Sequence, residues 1–313
     1  MRASNRLKKF IVSESERLGF DKVGFTKAEK VDAETENAFR LWLEKGYHGS
    51  MKWMENHTEK RLDPSLLVEG GKTVVCFATN YYQPVPYKKN KPYISKYALG
   101  DDYHDVLKKR LKQLYQNIQS EFPDVEGRYF TDTAPILERY WAEKSGIGWQ
   151  GKNTLLLTRE FGSYVFLSVM IINQELEPDR AHENFCGTCT ACLDGCPTNA
   201  FVEAKVLNST QCISYLTIEY RDAFTDEQSK QIGNNIYGCD ICQEVCPWNK
   251  FVKECSVDEF KPRSENTNRS MSEWETLTED TFRTKFTKSA VKRTKFAGLF
   301  RNISSVKKNL GDK

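Results

Sequence analysis

The stretch Cys186-Gly-Thr-Cys189-Thr-Ala-Cys192-Leu-Asp-Gly-Cys196-Pro197 places four cysteines and a proline in twelve residues. Its spacing, C-x2-C-x2-C-x3-C-P, is that of a bacterial ferredoxin run, whose last cysteine ligates the other of two clusters. A second block, Cys239-Asp-Ile-Cys242-Gln-Glu-Val-Cys246-Pro247, repeats the later part of the pattern. Ile236 stands where its first cysteine would fall, and Cys212, between the blocks, is the natural replacement. Crossed ligation then assigns Cys186, Cys189, Cys192 and Cys246 to one 4Fe–4S cluster. Cys196, Cys212, Cys239 and Cys242 go to the other. Sets of four cysteines also suit structural zinc, but zinc needs neither the cysteine triplet nor the two Cys-Pro endings. Of the remaining cysteines, Cys76 reads as a core residue in an apolar strand, and Cys255 lies outside the pattern.

Two adjacent cubanes form a wire that moves one electron at a time, and a wire needs an acceptor. Some 180 residues stand upstream of the cysteines in a chain of 313, enough for a domain with its own core. That domain carries no G-x-G-x-x-G after a strand and no P-loop, so neither a dinucleotide fingerprint nor ATP coupling is written in it. Aromatic residues make up 12% and charged residues 28% of the chain, as in a globular protein. The N-terminus lacks the apolar run of a secretory signal, and the most apolar stretch, Tyr164 to Ile172, is too short to cross a bilayer. A cytoplasmic protein is expected, where ten cysteines argue for metal or redox chemistry over disulfides. The net charge of +3 is uneven: Arg283 to Lys313 holds ten Lys/Arg and a single acid, Asp312. Such a tail attracts a polyanion such as RNA, or forms an ordinary solvated helix face.

Leu7, Phe10, Ile11 and Leu18 predict a first helix closed by Gly19. Thr73 to Thr79 reads as a buried strand, followed by a Pro- and Lys-rich loop, Gln83 to Pro92. Leu107, Leu111, Leu114 and Ile118 mark an amphipathic helix. Arg128 to Thr131 predicts a short strand, Pro135 to Lys144 a helix, and Thr154 to Thr158 and Tyr164 to Ile172 two more strands. Strands alternating with helices make the upstream part an α/β or α+β domain. The expected organisation is residues 1–178 as that domain, 179–260 as a ferredoxin-like two-cluster domain, and 261–313 as a short basic helical segment.

Asp132 falls where a strand meets a helix. Aspartate favours the N-cap, and Pro135 suits a first helical turn. Alternatively, a carboxyl at the mouth of a ligand crevice, partly desolvated, holds a raised pKa and donates a proton. Downstream, Ser145-Gly-Ile-Gly-Trp-Gln-Gly-Lys152-Asn153-Thr154 is a glycine-rich turn whose amides could hold an anionic or amide-rich ligand.

The run Asp132-Thr…Glu143-Lys-Ser-Gly-Ile-Gly-Trp-Gln-Gly-Lys-Asn-Thr154, the two Cys-Pro blocks and Cys212-Ile-Ser-Tyr-Leu-Thr-Ile-Glu219 together resemble the epoxyqueuosine reductases. Lys60-Arg61-Leu-Asp-Pro64, Tyr97-Ala-Leu-Gly100 and Asp102-Tyr-His104 fit as well, so the likeness covers most of the chain in order. The resemblance implies a nitroreductase-like cobalamin-binding domain beside a ferredoxin-like domain, as in the related reductive dehalogenases. It implies reduction of epoxyqueuosine to queuosine at the wobble position of tRNA by Co(I) cobalamin. Electrons would come through both clusters from a reduced ferredoxin- or flavodoxin-like donor. By the same resemblance Asp132 is the proton donor, and Arg61, Ser95, Tyr97, Lys152, Asn153 and Ser214 contact the corrinoid. Asp102-Tyr-His104 lacks the glycine that completes the motif placing a histidine below cobalt. Many family members extend into a C-terminal helical-repeat region, and none is expected within these 313 residues. RNA binding is then expected to rest on the basic tail and the surfaces around the pocket.

Two other classes fit parts of the sequence: a small-molecule reductase like the reductive dehalogenases, and a non-enzymatic iron–sulfur electron carrier. The missing signal and the basic tail count against the first. The large upstream domain counts against the second.

Overall fold

The computed structural model describes residues 2–267 and 269–311. Its central sheet has four strands in the order Lys22–Lys27, Thr73–Asn80, Val165–Ile172, Gly127–Phe130. Every neighbouring pair is antiparallel, so the upstream part takes the α+β form of the two expected. Thr73–Asn80 is buried at every residue. Strand residues alternate between faces, and the core divides accordingly. Val75, Phe77, Met170 and Ile172 meet Leu7 and Ile11 of helix Arg2–Arg17 and Leu107, Leu111, Leu114 and Ile118 of helix Tyr103–Glu121. On the other face Val74, Cys76, Ala78, Val169 and Ile171 meet Leu62, Trp141 and Ala142. Each fully buried side chain of this kind contributes roughly 1.5–3 kcal/mol relative to exposure. Cys76 is thus a core residue, 1% exposed, and burial pushes its thiol up to about 12. Cys255, also buried, belongs to the first face.

A third core joins the C-terminal helices to the loop around residues 94–99 and to the segment between the cysteine blocks. Ile94 and Leu99, the segment Ile213 to Tyr237, and Trp274, Phe282, Val291, Leu299, Ile303 and Val306 pack together. The basic C-terminal stretch is therefore anchored by an apolar face on helix Lys295–Gly311. Asp312 and Lys313 lie outside the described residues. Ile236 is fully buried in this core, so the place where the second block lacks a cysteine is filled by a packing residue. Among the described residues no helix is long and apolar enough to cross a membrane.

The expected helix Pro135–Lys144 starts later, at Glu138, with Leu137 at its N-cap and no side-chain cap. The expected strand Thr154–Thr158 contracts to Leu156–Leu157, paired with Trp149–Gln150.

Candidate active site

The cysteine triplet winds around the short helix Ala191–Asp194, and the second block around the equally short Ile241–Glu244. These two turns face each other, so a cysteine of one block meets the triplet of the other. Cys186, Cys189, Cys192 and Cys246 surround a cavity of about 290 Å³, closed by Leu157, Phe185, Pro247 and Trp248. Trp149 stacks edge-on against Phe185 and Trp248 behind it. Cys196, Cys212, Cys239 and Cys242 form a second group. Burial raises the Cys239 and Cys242 thiols, and the charge of nearby Cys212 adds to it, joined at Cys239 by Cys196. Cys242 also feels Cys192, so the two groups adjoin. Cys212 precedes helix Ile213–Ile218, and the amides of Tyr215 and Ser214 donate to its sulfur.

Two residues expected to contact the corrinoid, Lys152 and Asn153, lie against the cysteine loops. Lys152 Nζ donates to the carbonyls of Gly187 and Cys189 at 2.8 and 2.9 Å, clasping the glycine-rich turn to the triplet. Asn153 lines the same cavity, 3% exposed, with its side-chain nitrogen buried and unpaired. Ser95 serves the second group: its hydroxyl donates to Asp240 Oδ1, between Cys239 and Cys242. Asp240 is fully buried and also accepts from the Tyr93 hydroxyl (2.8 Å), the Lys96 amide (2.7 Å) and Gln243 (3.1 Å). A buried carboxylate needs such donors. Lys96, 3% exposed, supplies a cation to Glu244 of the same turn. Gly238 permits the approach: its φ is 69°, and a Cβ there would lie 2.5 Å from that of Ser95.

From this loop Tyr97 leads towards Asp132. Its ring lies 6.1 Å from Tyr237 and 6.4 Å from Tyr103. The Tyr103 hydroxyl donates to Asp132 Oδ2 at 2.7 Å. Asp132 follows strand Gly127–Phe130 with φ of 48°, a left-handed conformation that aspartate adopts more readily than most residues other than glycine. It caps no helix. Its amide instead donates to Glu138 Oε1 at 2.9 Å, and its side chain is 67% exposed in an open cleft.

Charges converge there. His104 Nε2 lies 3.7 Å from Asp132 Oδ2, and its Nδ1 2.7 Å from Asp102. Burial opposes charge on His104, but the two carboxylates outweigh it and push the imidazole up to about 9. For Asp132 the partial desolvation that would raise its pKa is outweighed by the nearby His104 imidazolium, by the Tyr103 hydrogen bond and by the charge of Arg139. Its carboxyl is held below the ordinary range, opposite to the raised value expected from the sequence. Burial and the charge of Asp132 instead push Glu138 up to about 8. The cluster therefore keeps its proton on His104 and Glu138 at neutral pH. Arg139 donates to the Thr154 carbonyl at 2.7 Å, where Thr154 is itself left-handed (φ 65°). Arg61, 7% exposed, feels the charge of Asp132 and leaves its Nε unpaired.

Tyr103, His104, Glu138, Arg139 and Asp240 are the residues whose part at the site the sequence reading missed. The one local signal was the carboxylate–imidazole spacing of Asp102-Tyr-His104.

A mixed α/β frame, an acid–base cleft and two adjoining cysteine groups define an iron–sulfur oxidoreductase. Residues 185–249 match the family model described as a 4Fe–4S double cluster binding domain, and residues 61–133 match that of epoxyqueuosine reductase QueG, DUF1730. An epoxyqueuosine reductase of Leadbetterella byssophila is 46% identical over 299 residues, covering 96% of this chain and 98% of the relative. That of Pseudomonas aeruginosa is 41% identical over 96% of this chain and 84% of its own. A crystal structure of epoxyqueuosine reductase with an epoxyqueuosine-modified tRNA-Tyr stem loop superposes with TM-score 0.92 at 33% identity. It spans 99% of this chain and 83% of that one. A Bacillus subtilis structure, described with its catalytic aspartate loop swung out of the active site, gives 0.91 at 32%. The chain belongs to the epoxyqueuosine reductase family.

Proposed function

We propose that this protein reduces epoxyqueuosine to queuosine at the wobble position of tRNA. The observation that carries this reading is the likeness over 99% of the chain to a reductase solved with an epoxyqueuosine-modified stem loop, together with the carboxylate that Tyr103 and His104 face in the cleft. Removing the epoxide oxygen as water consumes two electrons and two protons.

On this reading residues 1–178 form the substrate and corrinoid domain, 179–260 carry the clusters, and 261–313 close against both. The crossed ligand sets are supported by the cavity that Cys246 shares with Cys186, Cys189 and Cys192. Electrons from a ferredoxin- or flavodoxin-like donor pass from one cluster to the next, and the second group adjoins the cleft through Tyr97 and Tyr103. The unpaired Nε of Arg61 fits a large ligand rich in amide oxygens. Arg61 and Ser214 would hold cobalamin by hydrogen bonds and Tyr97 by its ring. Bound there, the corrinoid would supply the low-potential reducing chemistry. Ten free cysteines and oxygen-sensitive clusters suit the reducing cytoplasm.

As the epoxide opens, its oxygen becomes far more basic than the ionised Asp132 carboxylate, which relays to it a proton drawn from His104. His104 is protonated below about 9 and lies 3.7 Å away. Tyr103 fixes the carboxylate, while Arg139 stabilises the anionic oxygen. The test is nucleoside mass analysis of tRNA from a deletion strain. Epoxyqueuosine should accumulate and revert to queuosine when the gene is restored; unchanged queuosine sinks the proposal.

A further inference from the structure

The molecule has six tryptophans, and Trp53 alone among them is exposed, at 42%. It sits on a single turn, Lys52–Met54, and nothing in the cluster or proton chemistry uses it. Its ring is not bare on both sides. The Arg293 guanidinium lies 5.1 Å from the ring centroid. Arg293 is in turn held by Glu219, with Nε to Oε1 at 3.0 Å and Nη2 to Oε2 at 3.2 Å. Its backbone is pinned as well, since Arg221 donates to the carbonyls of Arg293 and Thr294. An arginine held by a carboxylate fork cannot leave the ring without losing both bonds.

The pair is also tied to the cleft. Arg61 Nη2 donates to the Trp53 carbonyl at 3.2 Å, and both Arg61 and Arg293 feel the charge of Asp132. The aromatic surface therefore stands at the rim of the cleft in fixed relation to the Asp132 carboxylate. Exposed lysines flank it: Lys52 precedes Trp53, and Lys292 precedes Arg293. A fixed aromatic plane backed by arginine and bordered by cations is suited to an unstacked nucleobase with its phosphates.

We propose that Trp53, backed by Arg293, is a stacking platform for a base of the anticodon loop that flanks the reacting nucleoside. The proposal rests on the tRNA reading above and adds the residues that hold the loop open. With one neighbour stacked on Trp53, the wobble nucleoside is free to turn into the cleft towards Asp132. Glu219 and Arg61 act as positioning residues for the platform.

Binding of an unmodified anticodon stem–loop RNA to the holoenzyme tests this. The W53A variant should weaken binding about 10-fold to 100-fold, the range expected for one lost stack, while W53F retains most of the affinity. In turnover, W53A should raise KM with little change in kcat. RNA should quench the fluorescence of the wild type, and this quench should vanish in W53F. A stem–loop made abasic beside the wobble nucleotide should bind wild type and W53A equally. If W53A binds the intact loop like wild type, or weakens the abasic loop just as much, the platform is refuted. If the wild-type holoenzyme binds no stem–loop at all, the tRNA reading itself falls. Iron content and melting temperature of each variant exclude misfolding as the cause, and W53F keeps the ring volume should W53A not fold.

Discussion

Asp132 reaches its place because the backbone accepts a left-handed turn immediately after a sheet strand, and that turn aims the carboxylate at Tyr103 and His104. Asp132→Asn keeps shape and hydrogen bonding but cannot carry the proton. Turnover should fall at least about 100-fold with iron and corrinoid content unchanged; near-normal activity would exclude the donor role. The proton reserve sets the pH response. Activity should decline as pH rises through about 8 to 9, where Glu138 and then His104 lose their protons, and a flat profile over that range would contradict it. Stability follows the same sign. His104 binds its proton more tightly folded than unfolded, so its contribution is fully present below about 6.5. It is lost as pH rises through about 9. Melting curves of His104→Gln should show a shallower loss across that window. The sequence exposed Asp132 as a candidate but misjudged its charge, because the groups that decide it arrive from residues 103–104 and 138–139. Those meet only through tertiary packing.

At the scale of elements, the two cysteine turns were legible because ligand chemistry writes its spacing directly into the chain. Cys212, proposed as the replacement for the missing ligand, lies near Cys239 and Cys242. The core position of Ile236, visible only in the fold, gives a physical reason for the missing cysteine. Cys212→Ser should lower iron and acid-labile sulfide by about half, as one cluster is lost and the other kept. A full complement of iron would place Cys212 outside the ligand set. Gly238→Ala probes the loop that Asp240 holds. The left-handed backbone alone costs a side chain roughly 1–2 kcal/mol, and the new methyl meets Ser95. The variant should melt several degrees lower and bind less iron; wild-type values would show that the Ser95 loop yields freely. Strand order was not legible, since antiparallel pairing between residues 22 and 172 depends on contacts far apart in sequence. The basic tail showed its charge but not its packing: Leu299, Ile303 and Val306 form an apolar helix face that the lysine count obscured.

For the whole molecule, the cations at the cleft rim and along the C-terminal helices predict an electrostatic contribution to RNA binding. The logarithm of affinity should fall linearly with the logarithm of salt, and Lys52→Gln with Lys292→Gln should flatten that slope. An unchanged slope would move the phosphate contacts elsewhere. The cavity shared by Cys186, Cys189, Cys192 and Cys246 has a further consequence, for how the protein is made. As the chain leaves the ribosome, the triplet emerges first but has no fourth wall. The second group waits on Cys239 and Cys242, and the first on Cys246. On the ligand sets proposed above, both iron sites are completed within a few residues of one another, after the C-terminal part of the cysteine region has been synthesised. Neither can be loaded on the nascent first block alone, so the delivery machinery meets two vacancies at once. A premature stop between the blocks would leave a product with no finished site at all.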